Sequence, residues 1–312
     1  METEFTPSES RPTTPEPPGY VNPLESSSRW YLIARAQAIR SAASLGFSIA
    51  NRTDPPAPSP TKDIWLDATL SKADLSRADR AKTKIKAEHR AAEFGIDPDR
   101  IILSGFSAGA TNALASWLIL NDPDRWGYKF PIEPPKIAGI TLYYPLLDWT
   151  ISRPEKRLTC SKPEFTLPKG LTDLIDASFI YPIIPREERC DPRLSPGLMP
   201  DELLKKLPPI HLVLCEYDML LAEGLKFSNR LKAANKKFTL RIVEGERHAW
   251  DCPPPMSPKE SVAIEYQEAV ETMASWFGQK CETDTESMRS MRLKRPVLKR
   301  PKYLSFKTWS GR

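Results

Sequence analysis

Histidine, glycine and cysteine are all scarce in this 312-residue chain, and each shortage narrows what it can do. The five cysteines (Cys160, Cys190, Cys215, Cys252 and Cys281) form no close pair and no metal-ligand spacing, so no metal site is expected. Their number is odd, and no charged-then-apolar signal segment opens the chain, which predicts reduced thiols in a cytoplasmic protein. Cys160 and Cys190 fall within one segment, 149–199, where spacing leaves a bridge open. The helical stretch 28–51 carries Arg35 and Arg40 among many alanines, which argues against a membrane span. Only three histidines are present, so the search for a general base is short. The 13 glycines include no adjacent pair.

Proline is abundant by contrast, with 32 residues, and the hydrophobic fraction is a modest 40%, which together predict disordered ends. Residues 1–24 are rich in Pro, Ser, Thr and Glu and cannot bury a core. The expected organisation is a disordered segment over 1–27, one large domain over 28–280 and a basic disordered tail over 281–312. The net charge of +5 belongs to that tail: residues 287–312 hold nine Lys or Arg and no acid, leaving 36 basic against 40 acidic residues elsewhere. A solvated tail is the reading adopted, a polyanion-binding or nuclear-import patch being the alternative, and no nucleic-acid partner is expected. Over 28–51, Leu32, Ala36, Ile39, Ala43 and Phe47 form one apolar stripe of an amphipathic helix.

What the chain does contain is Gly105-Phe106-Ser107-Ala108-Gly109, between the apolar run Ile101-Ile102-Leu103 and the Ala-rich stretch 110–120. Gly-x-Ser-x-Gly between strand and helix is a nucleophile elbow, a turn sharp enough to project the serine from the sheet. Both glycines are expected where strand and helix backbones exclude a β-carbon, and the Ser107 backbone is expected to be strained. A serine needs a base. His89 lies in a charged helical stretch and reads as solvated, and His211 lies inside the apolar run 210–214 and reads as a half-buried structural residue. His248 follows a third apolar run, 238–243, on a loop where a general base belongs, though a plain surface histidine is the alternative.

The order Ser, acid, His calls for a carboxylate between Ser107 and His248 beyond a strand. Asp218 is preferred over Glu216 because it lies further past the strand end; its alternative role is to cap the helix that follows. Strand and helix segments alternate throughout, so the fold class is α/β, a mainly parallel twisted sheet with helices on both faces. Its strands are expected at 101–104, 137–144, 210–214 and 238–243.

At these residues the chain resembles the α/β-hydrolase fold-3 group, the hormone-sensitive-lipase and arylacetamide-deacetylase type esterases. The likeness rests on 95–101 leading into the elbow, Tyr144-Pro145 with Asp148, the stretch 191–196, Leu207-Pro208-Pro209, Asp218-Met219-Leu220, Glu223-Gly224 and His248. It is strong over 93–279 and weak over 30–70. The resemblance implies a serine carboxylester hydrolase with Ser107, Asp218 and His248 as its triad and no metal or organic cofactor. A small-molecule acyl ester is the implied partner. Cap elements over about 28–60 and 149–199 are implied too, the first helping to bind the acyl group or simply packing on the surface.

One departure is large. The family's His-Gly-Gly-Gly motif, whose backbone N–H groups supply part of the oxyanion hole, is absent, leaving the N–H of Ala108 as the expected donor. Where two buried strands belong, residues 71–93 are densely charged, and little chain separates a first strand at 63–66 from Ser107. The sheet is therefore expected to be incomplete beside 101–104. Three readings follow: an active esterase, an impaired or inactive homologue, and a small-molecule binding module on the same fold. The complete triad weighs against the last.

Overall fold

The computed structural model describes residues 20–39, 97–130, 134–252 and 259–279. Four strands, β1 (Ile101–Phe106), β2 (Ile137–Tyr143), β3 (Ile210–Cys215) and β4 (Phe238–Val243), pair in parallel in the order β1-β2-β3-β4. The apolar content of each strand matches its place. Every residue of β3 is buried, and β2 is buried but for one half-exposed position, as central parallel strands covered on both faces must be. β4 and β1 keep exposed positions and lie at the two ends of the described sheet. Among the described residues nothing pairs with the free edge of β1, the side where strands were expected to be missing. Residues 63–66 and 71–93, on which that expectation also rests, lie outside the described residues.

The helices are α1 (29–39), α2 (Ala108–Asn121), α3 (Arg153–Leu158), α4 (Lys169–Phe179), α5 (Asp201–Leu204), α6 (Leu221–Ala233) and α7 (Glu260–Trp276). The period-2 alternation of β2 and β3 divides the core. Ile140, Leu142, Ile210, Leu212 and Leu214 meet Leu114 and Leu118 of α2 and Phe227 and Leu231 of α6. Tyr143, Val213 and Cys215 face the other way, toward Ala269 of α7. Gly139 is required on that second face, since a β-carbon there would lie 2.0 Å from the Trp276 ring. Bidentate hydrogen bonds from Arg241 to Glu265, at 2.9 and 3.0 Å, fasten β4 to α7.

His211 is fully buried on the α7 face rather than half-buried, because α7 covers a face that the sequence alone leaves uncovered. Its Nδ1 shares a 2.6 Å hydrogen bond with Thr239 Oγ1. Burial, opposed by Glu265 and assisted by Arg241, brings the imidazole from its ordinary 6.5 down to about 4. The unfolded chain therefore binds this proton first, so stability falls as pH drops from 6.5 toward 4. Thermal melts across that window are expected to fall more steeply for the native chain than for His211→Gln; parallel slopes would contradict it.

Residues 20–32 pack on residues 173–189. Tyr20 donates to Asp173 Oδ1 at 2.6 Å, Asn22 to the Asp173 carbonyl at 2.8 Å, and Arg189 to Glu25 at 3.2 Å. Within the stretch 1–27, residues 20, 22 and 25 thus make hydrogen bonds to residues 173 and 189. Leu32 of α1 is buried against Leu174 and Ala177 of α4, while Ile39 stays exposed, so the stripe is used at its start. The remainder of that stripe and the basic tail fall outside the described residues.

Candidate active site

Three strand ends converge. β1 turns into α2 at Ser107, which holds φ 52° and ψ −120°, the strained backbone expected of an elbow. The strain is held by its N–H donating to the Tyr143 carbonyl at 2.9 Å and by its own carbonyl accepting from Ala110 at 3.0 Å. Gly105 is indispensable, because a β-carbon there would sit 2.2 Å from the Gly109 carbonyl oxygen. Gly109 corrects the expectation for the second glycine: a β-carbon there meets nothing within 4 Å, since the chain that crowds Gly105 is the backbone of Gly109 itself.

His248 Nε2 lies 2.9 Å from Ser107 Oγ, and His248 Nδ1 lies 2.6 Å from Asp218 Oδ2. Asp218 follows β3 and His248 follows β4, and both are buried. A carboxylate only accepts, so Nδ1 carries the imidazole proton and Nε2 is free to accept from the Ser107 hydroxyl. The other Asp218 oxygen accepts from the Leu220 N–H at 3.0 Å, a turn ahead of α6; the capping alternative weighed for Asp218 does not hold, because the residue at the N-cap of α6 is Leu220 and no side chain caps the helix. Glu216 turns away, accepting from the Gly245 N–H at 2.6 Å. His211 takes no part in this cluster, and His89 lies outside the described residues. Ala108 opens α2, where a helix leaves its first N–H groups without intrahelical acceptors.

Sequence reasoning missed the support behind His248. Tyr144, with φ 37°, sets its ring 4.8 Å from the imidazole and donates its hydroxyl to Asp251 Oδ1 at 2.6 Å. Tyr266 of α7 donates to the other oxygen of Asp251 at 2.7 Å. Burial, reinforced by Asp251, pushes both phenols above their ordinary range, so they remain donors. The available signal was a carboxylate three residues past the histidine. Asp251→Asn replaces an acceptor of two hydroxyls with a group that accepts one. It is expected to lower kcat by up to about 10²-fold with KM little changed, the cost of a small misplacement at a reacting centre. Steady-state kinetics check this, and an unchanged kcat would remove Asp251 from the positioning of His248.

A cavity of about 50 Å³ opens beside Ser107 and His248. Its walls come from the loop after β2, from α4 and from the turn after Asp218, with Leu146, Ile175, Phe179 and Met219 among them. Among its lining residues none comes from 20–39. Cys160 and Cys190 are both free thiols, which answers the pairing left open. Among the described residues, no cluster of His, Cys, Asp and Glu could hold a metal, and no helix is long and apolar enough to cross a membrane.

Comparison with known proteins gives the same architecture. Over 60 residues, 19% of this chain, the sequence is 43% identical to hormone-sensitive lipase of Ictidomys tridecemlineatus and 42% identical to that of Mus musculus. The chain spans only 8% of the length of these relatives. Among solved structures, carboxyl esterase 2 of Tuber melanosporum superposes with a TM-score of 0.53 at 20% identity, covering 67% of this chain and 63% of that one. An esterase of Rhizomucor miehei gives a TM-score of 0.55 at 20% identity, covering 67% and 62%. These identities show the fold. The model of the alpha/beta hydrolase fold matches residues 72–251, more than half of the chain. The chain belongs to the α/β-hydrolase fold-3 family.

Proposed function

We propose that this chain is a serine hydrolase of carboxylic esters, with Ser107 as nucleophile, His248 as general base and acid, and Asp218 as the group that orients and stabilises the imidazole. The observation that carries the proposal is the chain of hydrogen bonds from Asp218 through His248 to Ser107, at 2.6 and 2.9 Å, opening on an apolar cavity. In the first step Ser107 Oγ bonds to the ester carbonyl carbon and its proton passes to His248 Nε2. The carbonyl oxygen becomes an oxyanion beside the Ala108 N–H. The C–O bond to the alcohol then breaks, and the leaving oxygen takes the proton from Nε2. Water repeats the sequence on the acyl-serine, releasing the acid and restoring Ser107. No metal or organic cofactor enters these steps, and the partner is a small acyl ester in the cytoplasm. The catalytic domain is assigned to 28–280, with 149–199 as the cap.

Turnover is proposed to be slow, because the sequence has no Gly-Gly pair to supply the second set of oxyanion donors. Losing one such donor costs about 10²–10³ in turnover, roughly 2.7–4 kcal/mol. The impaired homologue is thus the same molecule read at its weakest point. Purified protein assayed on short-chain 4-nitrophenyl esters, with Ser107→Ala as control, tests both halves. A version with a His-Gly-Gly-Gly segment inserted ahead of the elbow is expected to hydrolyse these esters efficiently. Efficient hydrolysis by the chain as it stands, abolished by Ser107→Ala, would show that another group completes the oxyanion hole.

A further inference from the structure

Asp218 and His248 stand on two loops that leave neighbouring parallel strands, and their register is carried past the strand ends by a run of hydrogen bonds. The last ladder pair sets Cys215 of β3 opposite Val243 of β4. Beyond it the Glu216 N–H donates to the Val243 carbonyl at 3.1 Å, and the Tyr217 N–H donates to the Glu246 carbonyl at 2.9 Å. The bond between Asp218 and His248 comes next, at 2.6 Å. Three consecutive residues of the acid loop thus each hold a residue of the base loop.

The base loop needs such support. It turns at Gly245 with φ 71°, and Ala249, directly after His248, holds φ 57°, a conformation that costs energy for a residue with a β-carbon. Beyond His248 the chain is tied down by Asp251, through Tyr144 and Tyr266. Ahead of His248 the Glu246 carboxylate accepts from Ser261 Oγ at 3.2 Å and pairs with Lys259, both at the start of α7. The Gly245 N–H, inside the turn, is held by a side chain of the acid loop, the Glu216 carboxylate, at 2.6 Å. A charged acceptor makes this the stronger kind of hydrogen bond. Glu216 therefore bonds the base loop twice, by its backbone at Val243 and by its side chain at Gly245. We propose that Glu216 is a positioning residue: by holding the Gly245 N–H it sets His248 Nδ1 against Asp218 and Nε2 against Ser107, and its reach rather than its charge does this. The proposal rests on the serine-hydrolase reading for what that geometry achieves.

Glu216→Gln keeps an oxygen at the same reach without the charge, whereas Glu216→Asp keeps the charge and falls one methylene short of Gly245. In the full chain, the rate at which a saturating fluorophosphonate labels Ser107 is expected to stay close to native in Glu216→Gln. In Glu216→Asp and Glu216→Ala it should fall about tenfold, less than the roughly 10²-fold cost of a 1 Å misplacement. The half-saturating concentration of the reagent should not move. The His248 Nδ1 proton, shared with a carboxylate, gives a low-field proton NMR signal that reads the geometry without any reaction, and its absence in His248→Ala identifies it. That signal should persist in Glu216→Gln and shift upfield or vanish in the other two, with thermal midpoints near native in all three. If Glu216→Ala does not fold, Glu216→Asp carries the test. Native rate and signal in Glu216→Asp overturn the proposal, as does an equal loss in Glu216→Gln, which would assign the effect to charge. A native chain that takes no label at Ser107, with the signal responding in the expected pattern, would sink the hydrolase reading and leave the positioning role standing. Labelling that needs His248 and ignores all three substitutions would sink the positioning role alone.

Discussion

Asp218→Asn is expected to lower Ser107-dependent ester hydrolysis by about 10⁴-fold, the scale seen when this carboxylate is neutralised in other enzymes with the same constellation. The structure supplies the reason for so large an effect in this chain. One side-chain oxygen of residue 218 accepts from the Leu220 N–H at 3.0 Å, and the other accepts from His248 Nδ1. Asparagine has only one oxygen, and the Leu220 N–H, a pure donor, claims it. The amide NH2 then faces Nδ1 and donates to it, so the imidazole proton moves to Nε2, where it can no longer accept from Ser107. Folding should be nearly unaffected, because the turn at Leu220 keeps its bond. Rates on the version with a restored oxyanion segment give the dynamic range needed. A loss of less than tenfold would show that His248 is oriented by some other group.

Lys156→Met is expected to destabilise the fold by about 3–5 kcal/mol, the cost of leaving one member of a buried ion pair alone. Lys156 on α3 and Glu223 on α6 form an ion pair with both side chains 5% exposed or less. Lys156 Nζ also donates to the Asp148 carbonyl at 2.5 Å, and Glu223 Oε1 accepts from the Leu147 N–H at 2.8 Å. The pair therefore pins α3 and the loop after β2 to the helix that follows Asp218. Burial lowers the Lys156 pKa and raises that of Glu223. With Lys156 gone, Glu223 can take up a proton instead of remaining a buried anion, so the deficit should shrink at acid pH. Denaturant unfolding of Lys156→Met, Glu223→Gln and the double variant forms the cycle, and the double is expected to recover most of the loss. Additive losses would show that the two charges do not depend on one another.

The strands could be read from the sequence because each is a short apolar run, and parallel strands covered on both faces leave few polar positions to blur the signal. The expected start of every strand agrees with the structure, the end of β4 agrees too, and the other three ends differ by one or two residues, as at Phe106, which continues β1 into the elbow. The meeting of Ser107, Asp218 and His248 was legible for a related reason. Each sits just past a strand end, and a parallel sheet gathers those ends along one edge. The contacts that shape the site were not legible, because they join distant positions. Tyr144 and Asp251 are separated by 107 residues. The Trp149–Phe179 stack and the Arg153–Asp176 pair depend on how residues 149–179 fold back on themselves, and no periodicity encodes that. Gly109 shows the limit of motif reasoning. The pattern marks two glycines alike, while packing demands only the first.

The central claim is that His248 activates Ser107, and covalent labelling tests it without any assumption about the ester. A fluorophosphonate forms an O–P bond to an activated serine, fluoride leaves and the hydroxyl proton passes to the base. Mass spectrometry of the intact full chain and of its peptides, after incubation with such a reagent, reads both stoichiometry and position. One label per chain on Ser107, lost in His248→Ala, is the predicted result. A native chain that takes no label at Ser107, or that labels there as fast without His248, would contradict the account.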